Sequence, residues 1–67
     1  MVNIVNTVKS SRERLGLTQQ ELAARSGVGR TTISNIETGR YCPGVDVAIK
    51  LCRVLGKPVE EVFRIPE

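Results

Sequence analysis

Gln19–Ile36 reads QQELAARSGVGRTTISNI, and this stretch decides the fold. Two short helices joined by a turn of three or four residues can cross steeply only under three conditions. The first helix must offer a small side chain at the crossing, the turn must hold a residue tolerant of positive φ, and the second helix must return aliphatic side chains against the first. Ala23, Gly27 and Val28, with Ile33 and Ile36, meet all three at fixed offsets. At its upstream edge, Thr18-Gln19-Gln20-Glu21 has the form of a capping box, in which the threonine hydroxyl accepts from the Glu21 N–H while the carboxylate reaches back. Leu17 and Leu22 occupy the N′ and N4 positions of a hydrophobic staple, so two independent local signals start a helix at one residue. That helix is predicted to run to about Ser26, burying Leu22 and Ala23. The next is predicted over about Arg30–Thr38, with Gly39 as its left-handed stop.

Helical periodicity extends in both directions. A first helix is predicted from about Asn6 to Leu15, with Val8 and Leu15 one heptad apart on its inner face and Gly16 ending it. Beyond the central pair, Arg40–Gly44 reads as a loop because Pro43 and Gly44 both oppose helix continuation. A fourth helix is predicted over about Val45–Leu55, with Ala48, Leu51, Cys52 and Leu55 along one stripe and Gly56 closing it. A short fifth helix over about Pro58–Phe63 offers Val59, Val62 and Phe63 to the same core. The expected fold is therefore all-α, with five helices, no strand, and one domain over residues 1–67 whose helix-turn-helix spans about 18–38.

Composition narrows the function. A chain of 67 residues holds one domain with a thin core, since about 60% of the unfolded surface is buried at this size. Cys42 and Cys52 stand ten apart with no histidine in the chain, which makes neither a zinc site nor a disulfide framework; two reduced thiols in a cytoplasmic protein are expected. The amino terminus MVNIVNTVKS lacks a basic region followed by a long apolar run, and no stretch approaches bilayer length, so neither export nor membrane insertion is expected. No base stands beside a serine or cysteine in a recognisable pattern, carboxylates are not clustered, and no glycine loop cradles a phosphate. An enzyme is disfavoured, and no cofactor or metal is expected.

The net charge of +3 is a weak pointer by itself, but its distribution is uneven. Residues 1–43 carry Lys9, Arg12, Arg14, Arg25, Arg30 and Arg40 against Glu13, Glu21 and Glu37, whereas residues 44–67 balance to zero. The excess thus lies in the half holding the helix-turn-helix, where counterion release from a phosphate backbone would need it. With Ile33 and Ile36 turned inward, Arg30, Thr31, Ser34 and Asn35 share the outward stripe of the third helix. In a major groove, arginine pairs bidentately with guanine O6/N7 and asparagine with adenine N6/N7. The alternative is an ordinary solvated face.

The spacing L-A-x-x-x-G-V-x-x-x-x-I-x-x-I-E-x-G, carried by Leu22-Ala23, Gly27-Val28, Ile33, Ile36-Glu37 and Gly39, resembles the Cro/CI family of helix-turn-helix regulators, also called the XRE family. Upstream, VKSSRERLGLTQQELA resembles the first two helices of lambdoid phage repressor domains, and VAIKLCRVLGKPVEEVF is similar to the last two helices of short single-domain members. The resemblance runs from about Asn6 to Phe63 and implies a lambda-repressor-like domain that binds double-stranded DNA and regulates transcription, as a repressor. It also implies phosphate contacts from Thr18 and Gln19 at the start of the second helix, where the helix dipole assists, and from Thr38, Arg40 and Tyr41 past the third. For Tyr41 the alternative is packing over the loop. Arg12 and Glu37 match positions that pair as ions in repressor-like domains, with screened surface charges as the alternative.

Four positions depart from the family pattern. Ser11 stands where leucine is common and puts one core contact in doubt; Gly29 replaces a hydroxyl cap at little cost, and Gly44 and Pro58 replace serines. One reading helix contacts too few base pairs to select an address, so a homodimer on a palindromic operator is expected. Its interface is placed on Val62, Phe63 and Ile65 at the tail, aided by Val2, Ile4 and Val5; the alternative is that these residues lid the core. No small-molecule effector is expected. An antitoxin or protein-interaction module using the same fold is the competing function.

Overall fold

The computed structural model describes residues 4–66, and Val2, expected to aid a dimer surface, lies outside them. They form β1 (Val5–Asn6), α1 (Val8–Arg14), α2 (Gln19–Ser26), α3 (Arg30–Glu37), α4 (Val45–Leu55), α5 (Val59–Val62) and β2 (Phe63–Arg64). The start of α2 is the capping box read from the sequence: Glu21 N donates to Thr18 Oγ1 at 3.1 Å, and Thr18 N donates to Glu21 Oε1 at 2.9 Å. Losing such a cap costs about 0.5–2 kcal/mol. Gly27 ends α2 at φ +77°, a left-handed geometry that any side chain would strain although the space around it is open. Val28, turned inward by that bend, joins the core, and Ser26 Oγ accepts from the Val28 N–H at 3.2 Å, so the turn is tied on both sides.

Val8, Leu22, Ile33, Ile36, Leu51 and Val62 are fully buried, one or two from each helix. Each such aliphatic side chain contributes about 1.5–3 kcal/mol by leaving water, an upper estimate because the unfolded chain already buries some of its surface. α2 packs on α3 and α4, α1 lies across the same two helices, and α4 receives α5. The stripe Ala48, Leu51, Cys52 and Leu55 is buried along α4 as the periodicity predicts. Burial also raises the Cys52 thiol above its ordinary pKa, which keeps it neutral and inert.

Three expectations need correction. Leu15 is 51% exposed and caps α1 rather than facing the core, because α1 ends at Arg14 and its carboxy-terminal turn swings Leu17 inward in place of Leu15. The all-helical reading missed a two-stranded antiparallel ribbon: Val5 pairs with Arg64 and Asn6 with Phe63, and Thr7 N donates to Val62 O at 2.9 Å. The predicted fifth helix accordingly stops at Val62, where Phe63 turns to extended backbone at φ −117° and ψ 123°. Val62, expected at a dimer surface, is a fully buried core residue and has no surface to share. Ser11, in the place of the common leucine, is buried and lies with its hydroxyl 3.4 Å from that of Thr7.

Candidate nucleic-acid interface

The outward face of α3 is set by Ile33 and Ile36, whose burial leaves the other side of the helix toward solvent. Arg30 and Thr31 are exposed on that side, while Ser34 and Asn35 are half-buried. Gly29 caps α3 without a side-chain hydrogen bond. Thr38, Arg40 and Tyr41 follow on exposed backbone. Asn35 O accepts from the N–H groups of Arg40 and Tyr41 at 2.9 and 3.2 Å, and Thr38 Oγ1 donates back to Ser34 O at 3.0 Å. These bonds satisfy carbonyls that a helix end would otherwise leave open. They also hold the residues that follow α3 close to its outward row.

Arg12 and Glu37 form the ion pair. Nε donates to Oε2 at 2.9 Å and Nη2 to Oε1 at 3.2 Å, a two-pronged contact, and Nη1 donates to Leu17 O at 2.9 Å. The two side chains are only 10% and 4% exposed. Gln19 Nε2 donates to Glu37 Oε1 at 3.0 Å, so one carboxylate ties α1, the start of α2 and the end of α3 together. Burial pushes the Glu37 pKa up, but the hydrogen bonds from Arg12 and Gln19, with the charges of Arg12 and Lys9, more than reverse it and hold the group below its ordinary value. The hydrogen bond to Glu37 raises Arg12 above its already high pKa against the cost of burial, so the pair stays charged.

The ends of α2 and α3 meet around an open groove of about 520 Å³ lined in part by Arg12, Thr18, Gln19, Gln20 and Arg30. Thr18 and Gln19, the expected phosphate ligands, thus flank one opening with Arg30. The Thr18 hydroxyl oxygen accepts the cap hydrogen bond and one Gln19 amide N–H is engaged by Glu37, which leaves the Thr18 O–H and the second amide N–H as donors available to a ligand. Thr38, Arg40 and Tyr41 follow Glu37, whose carboxylate accepts from Gln19 and Arg12 of this groove.

Two features of the site escaped the sequence reading. The Gln19–Glu37 bond was one; a glutamine one residue past an N-cap carries no mark of a partner 18 residues on. The other is Asn6, whose Nδ2 donates to Ile36 O at 2.9 Å and whose Oδ1 accepts from Val8 N at 3.1 Å. Asparagine just ahead of a helix is a usable capping signal, but its reach to α3 is long-range and has none.

Among the described residues, no group of His, Cys, Asp or Glu side chains could hold a metal ion, and no helix is long and apolar enough to cross a membrane. The helix-turn-helix family model matches residues 8–62. An HTH-type transcriptional regulator of Methanothermobacter thermautotrophicus is 44% identical over 61 residues, 90% of this chain and 88% of that one. The HTH-type transcriptional regulator YgzD of Bacillus subtilis is 39% identical over 62 residues, covering 92% and 94%. In three dimensions the chain is similar to the restriction-modification controller protein C.AhdI of Aeromonas hydrophila, with a TM-score of 0.76 at 28% identity over 81% of this chain and 82% of that one. It is also similar to the clp gene regulator ClgR of Corynebacterium glutamicum, with a TM-score of 0.74 at 31% identity over 81% and 57%.

Proposed function

The chain belongs to the XRE-type helix-turn-helix family of DNA-binding transcriptional regulators, a family of binding proteins and not of enzymes, and from that premise we propose that it is a repressor that reads a palindromic site with α3 in the major groove. The observation that carries this reading is the Arg12–Glu37–Gln19 network, which fixes the carboxy-terminal end of α3 to two other helices while its outward row stays open. A reading helix held rigidly in this way loses little freedom on docking. Arg30 and Asn35 carry the bidentate base contacts, and Thr31 and Ser34 the shorter ones. Thr18 and Gln19 grip a phosphate on one flank beside the positive end of the α2 dipole. Thr38, Arg40 and Tyr41 engage the backbone on the other.

The working species is a two-fold dimer, which sets two α3 helices about one DNA turn, roughly 34 Å, apart. Phe63, Ile65 and Val5 supply its interface beside a surface concavity of about 590 Å³. Glu60 and Arg64 line the same concavity and offer charges of both signs to a second copy.

In vitro selection of bound DNA tests the reading directly. A symmetric enriched site with two half-sites is expected, and affinity for it should fall with salt at a slope of about 0.9 per phosphate engaged. An asymmetric site would remove the dimer, and a flat salt response would remove DNA binding altogether.

A further inference from the structure

We propose that Asn6 is a positioning residue for DNA binding, through which the ribbon of chain ends holds the phosphate-contacting segment that follows α3. The proposal rests on the DNA-binding reading above. Asn6 makes three kinds of connection at once. Its backbone lies in β1 opposite Phe63, its Oδ1 accepts from Val8 N at the start of α1, and its Nδ2 donates to Ile36 O, 30 residues away. Ile36 is fully buried, and its carbonyl also accepts from Gly39 N at 3.1 Å. Both lone pairs of that oxygen are thereby occupied, one by the turn that leaves α3 and one by Asn6.

The turn so anchored is the one that presents Thr38, Arg40 and Tyr41. Its remaining ties are local: Arg40 N and Tyr41 N both reach back to Asn35 O, and Thr38 Oγ1 to Ser34 O. Glu37 fixes the last residue of α3 from the side of α1 and α2, but nothing in that network touches residues 38–41. Among the described residues Asn6 is the side chain that hydrogen-bonds from the ribbon to the end of α3, while Phe63 lines one cavity with Gly39, Arg40 and Tyr41. Loss of the Nδ2 bond would leave a buried carbonyl short of one partner and free the turn to rotate, moving Arg40 off the register that the other phosphate flank sets.

A cap for α1 alone would need only the Oδ1 atom. Asn6→Asp keeps that acceptor and places a carboxylate oxygen where the donor was, so it separates the two roles. Asn6→Ser keeps a capping oxygen but cannot reach Ile36 O, and carries the same test if the aspartate variant does not fold. Two measurements decide the matter.

The first is a double-mutant cycle with Arg40→Ala on the selected DNA site. In the wild-type background Arg40→Ala should lower the salt slope by about 0.9, and in the Asn6→Asp background it should lower it no further, with the two affinity losses less than additive by at least about threefold. Full additivity overturns the proposal. The second needs no DNA: amide hydrogen exchange should accelerate by about tenfold or more at Arg40 and Tyr41 in the variant while Ser11 and Arg12 keep their protection. Unchanged exchange at Arg40 and Tyr41 likewise overturns it. If the wild-type chain ignores DNA, the salt response reports that failure separately, and exchange still decides whether Asn6 holds the turn.

Discussion

Two regions hold α3 in place, by opposite means. The Arg12–Glu37–Gln19 network is charged, almost wholly buried, and built from side chains of three helices. The ribbon is built from backbone pairs between the two ends of the chain, carries half-exposed apolar side chains, and reaches α3 through one amide. In the network Arg12 and Glu37 are each the partner the other requires, so removing either strands a charge. In the ribbon the hydrogen bonds belong to the main chain and survive most substitutions. Stability and pH dependence should therefore concentrate at Glu37, and association at the ribbon.

Glu37→Ala tests the first half of that contrast with the largest effect. It leaves the buried Arg12 guanidinium without its hydrogen-bonded counter-charge, which costs about 3–5 kcal/mol, a large share of the about 5–15 kcal/mol available to a domain. Urea denaturation should show the loss, and Glu37→Gln, which retains an acceptor for Arg12, should lose less. A small effect from both would mean that the pair is solvated. The same site sets a pH response. Glu37 has its folded pKa below the ordinary carboxylate value of 4.5, so its stabilisation is full above that value and is lost as pH falls through the depressed pKa. A stability profile that instead rose on acidification through this range would contradict the assignment.

The next effect lies in DNA affinity and sharpens the roles along α3. Asn35→Ala removes a proposed base contact while leaving untouched the Asn35 carbonyl that anchors residues 40 and 41. It should cost about 1–3 kcal/mol on the selected site and relax preference at one base pair, whereas Arg40→Ala should weaken all sequences nearly equally. Binding to selected and random duplexes, measured side by side, checks the division; equal losses for both variants would erase it.

Thr18→Ala is smaller again. It removes the hydroxyl of the capping box, and thermal or urea unfolding should report about 0.5–2 kcal/mol. Glu21 has its pKa lowered first by the bond from the Thr18 backbone, so in wild type the cap should weaken as pH falls below the ordinary carboxylate range. That acid component should shrink in the variant, since the arrangement holding the carboxylate is loosened.

What could be read from the sequence follows the same division between local and distant causes. The capping box at Thr18, the left-handed turn at Gly27 and the inward pair Ile33 and Ile36 are written within a few residues of where they act, and α2, α3 and α4 appear where the pattern puts them, α3 ending one residue early. Val5–Asn6 and Phe63–Arg64 are too short to show strand alternation, and each becomes a strand only because the other end of the chain is beside it. Leu15 misled for a related reason: heptad spacing places it inward on an ideal helix, but α1 ends before that residue is reached. The candidate base-reading row was legible because two buried isoleucines fix the opposite face. The tie from Asn6 to Ile36 was not, since no local pattern encodes a partner 30 residues away.

Ile65→Asp separates the two regions most cleanly because its expected effect on folding is the smallest. Ile65 is 65% exposed and stands past the last paired residue of β2, so the isolated chain hardly uses it, and a substitution at such a place changes stability by no more than about 0.5 kcal/mol. In the proposed dimer the same side chain meets its symmetry mate near the axis, together with Phe63 and Val5. Aspartate there sets two carboxylates against each other in a surface that must shed water, and removes the apolar contact that would repay this. The variant should unfold at nearly the wild-type midpoint when dilute, yet have the mass of a monomer by light scattering at micromolar concentration, where wild type is a dimer. Its affinity for one half-site should be kept, since Ile65 lies outside the reading row and both phosphate flanks, while affinity for the full palindrome falls toward the half-site value. Wild type that remains a monomer under the same conditions would assign the ribbon to closing the core and nothing more. An Ile65→Asp chain that loses half-site binding as well would show that the ribbon supports α3 within one protomer, as the Asn6 tie requires, more strongly than it supports a second copy.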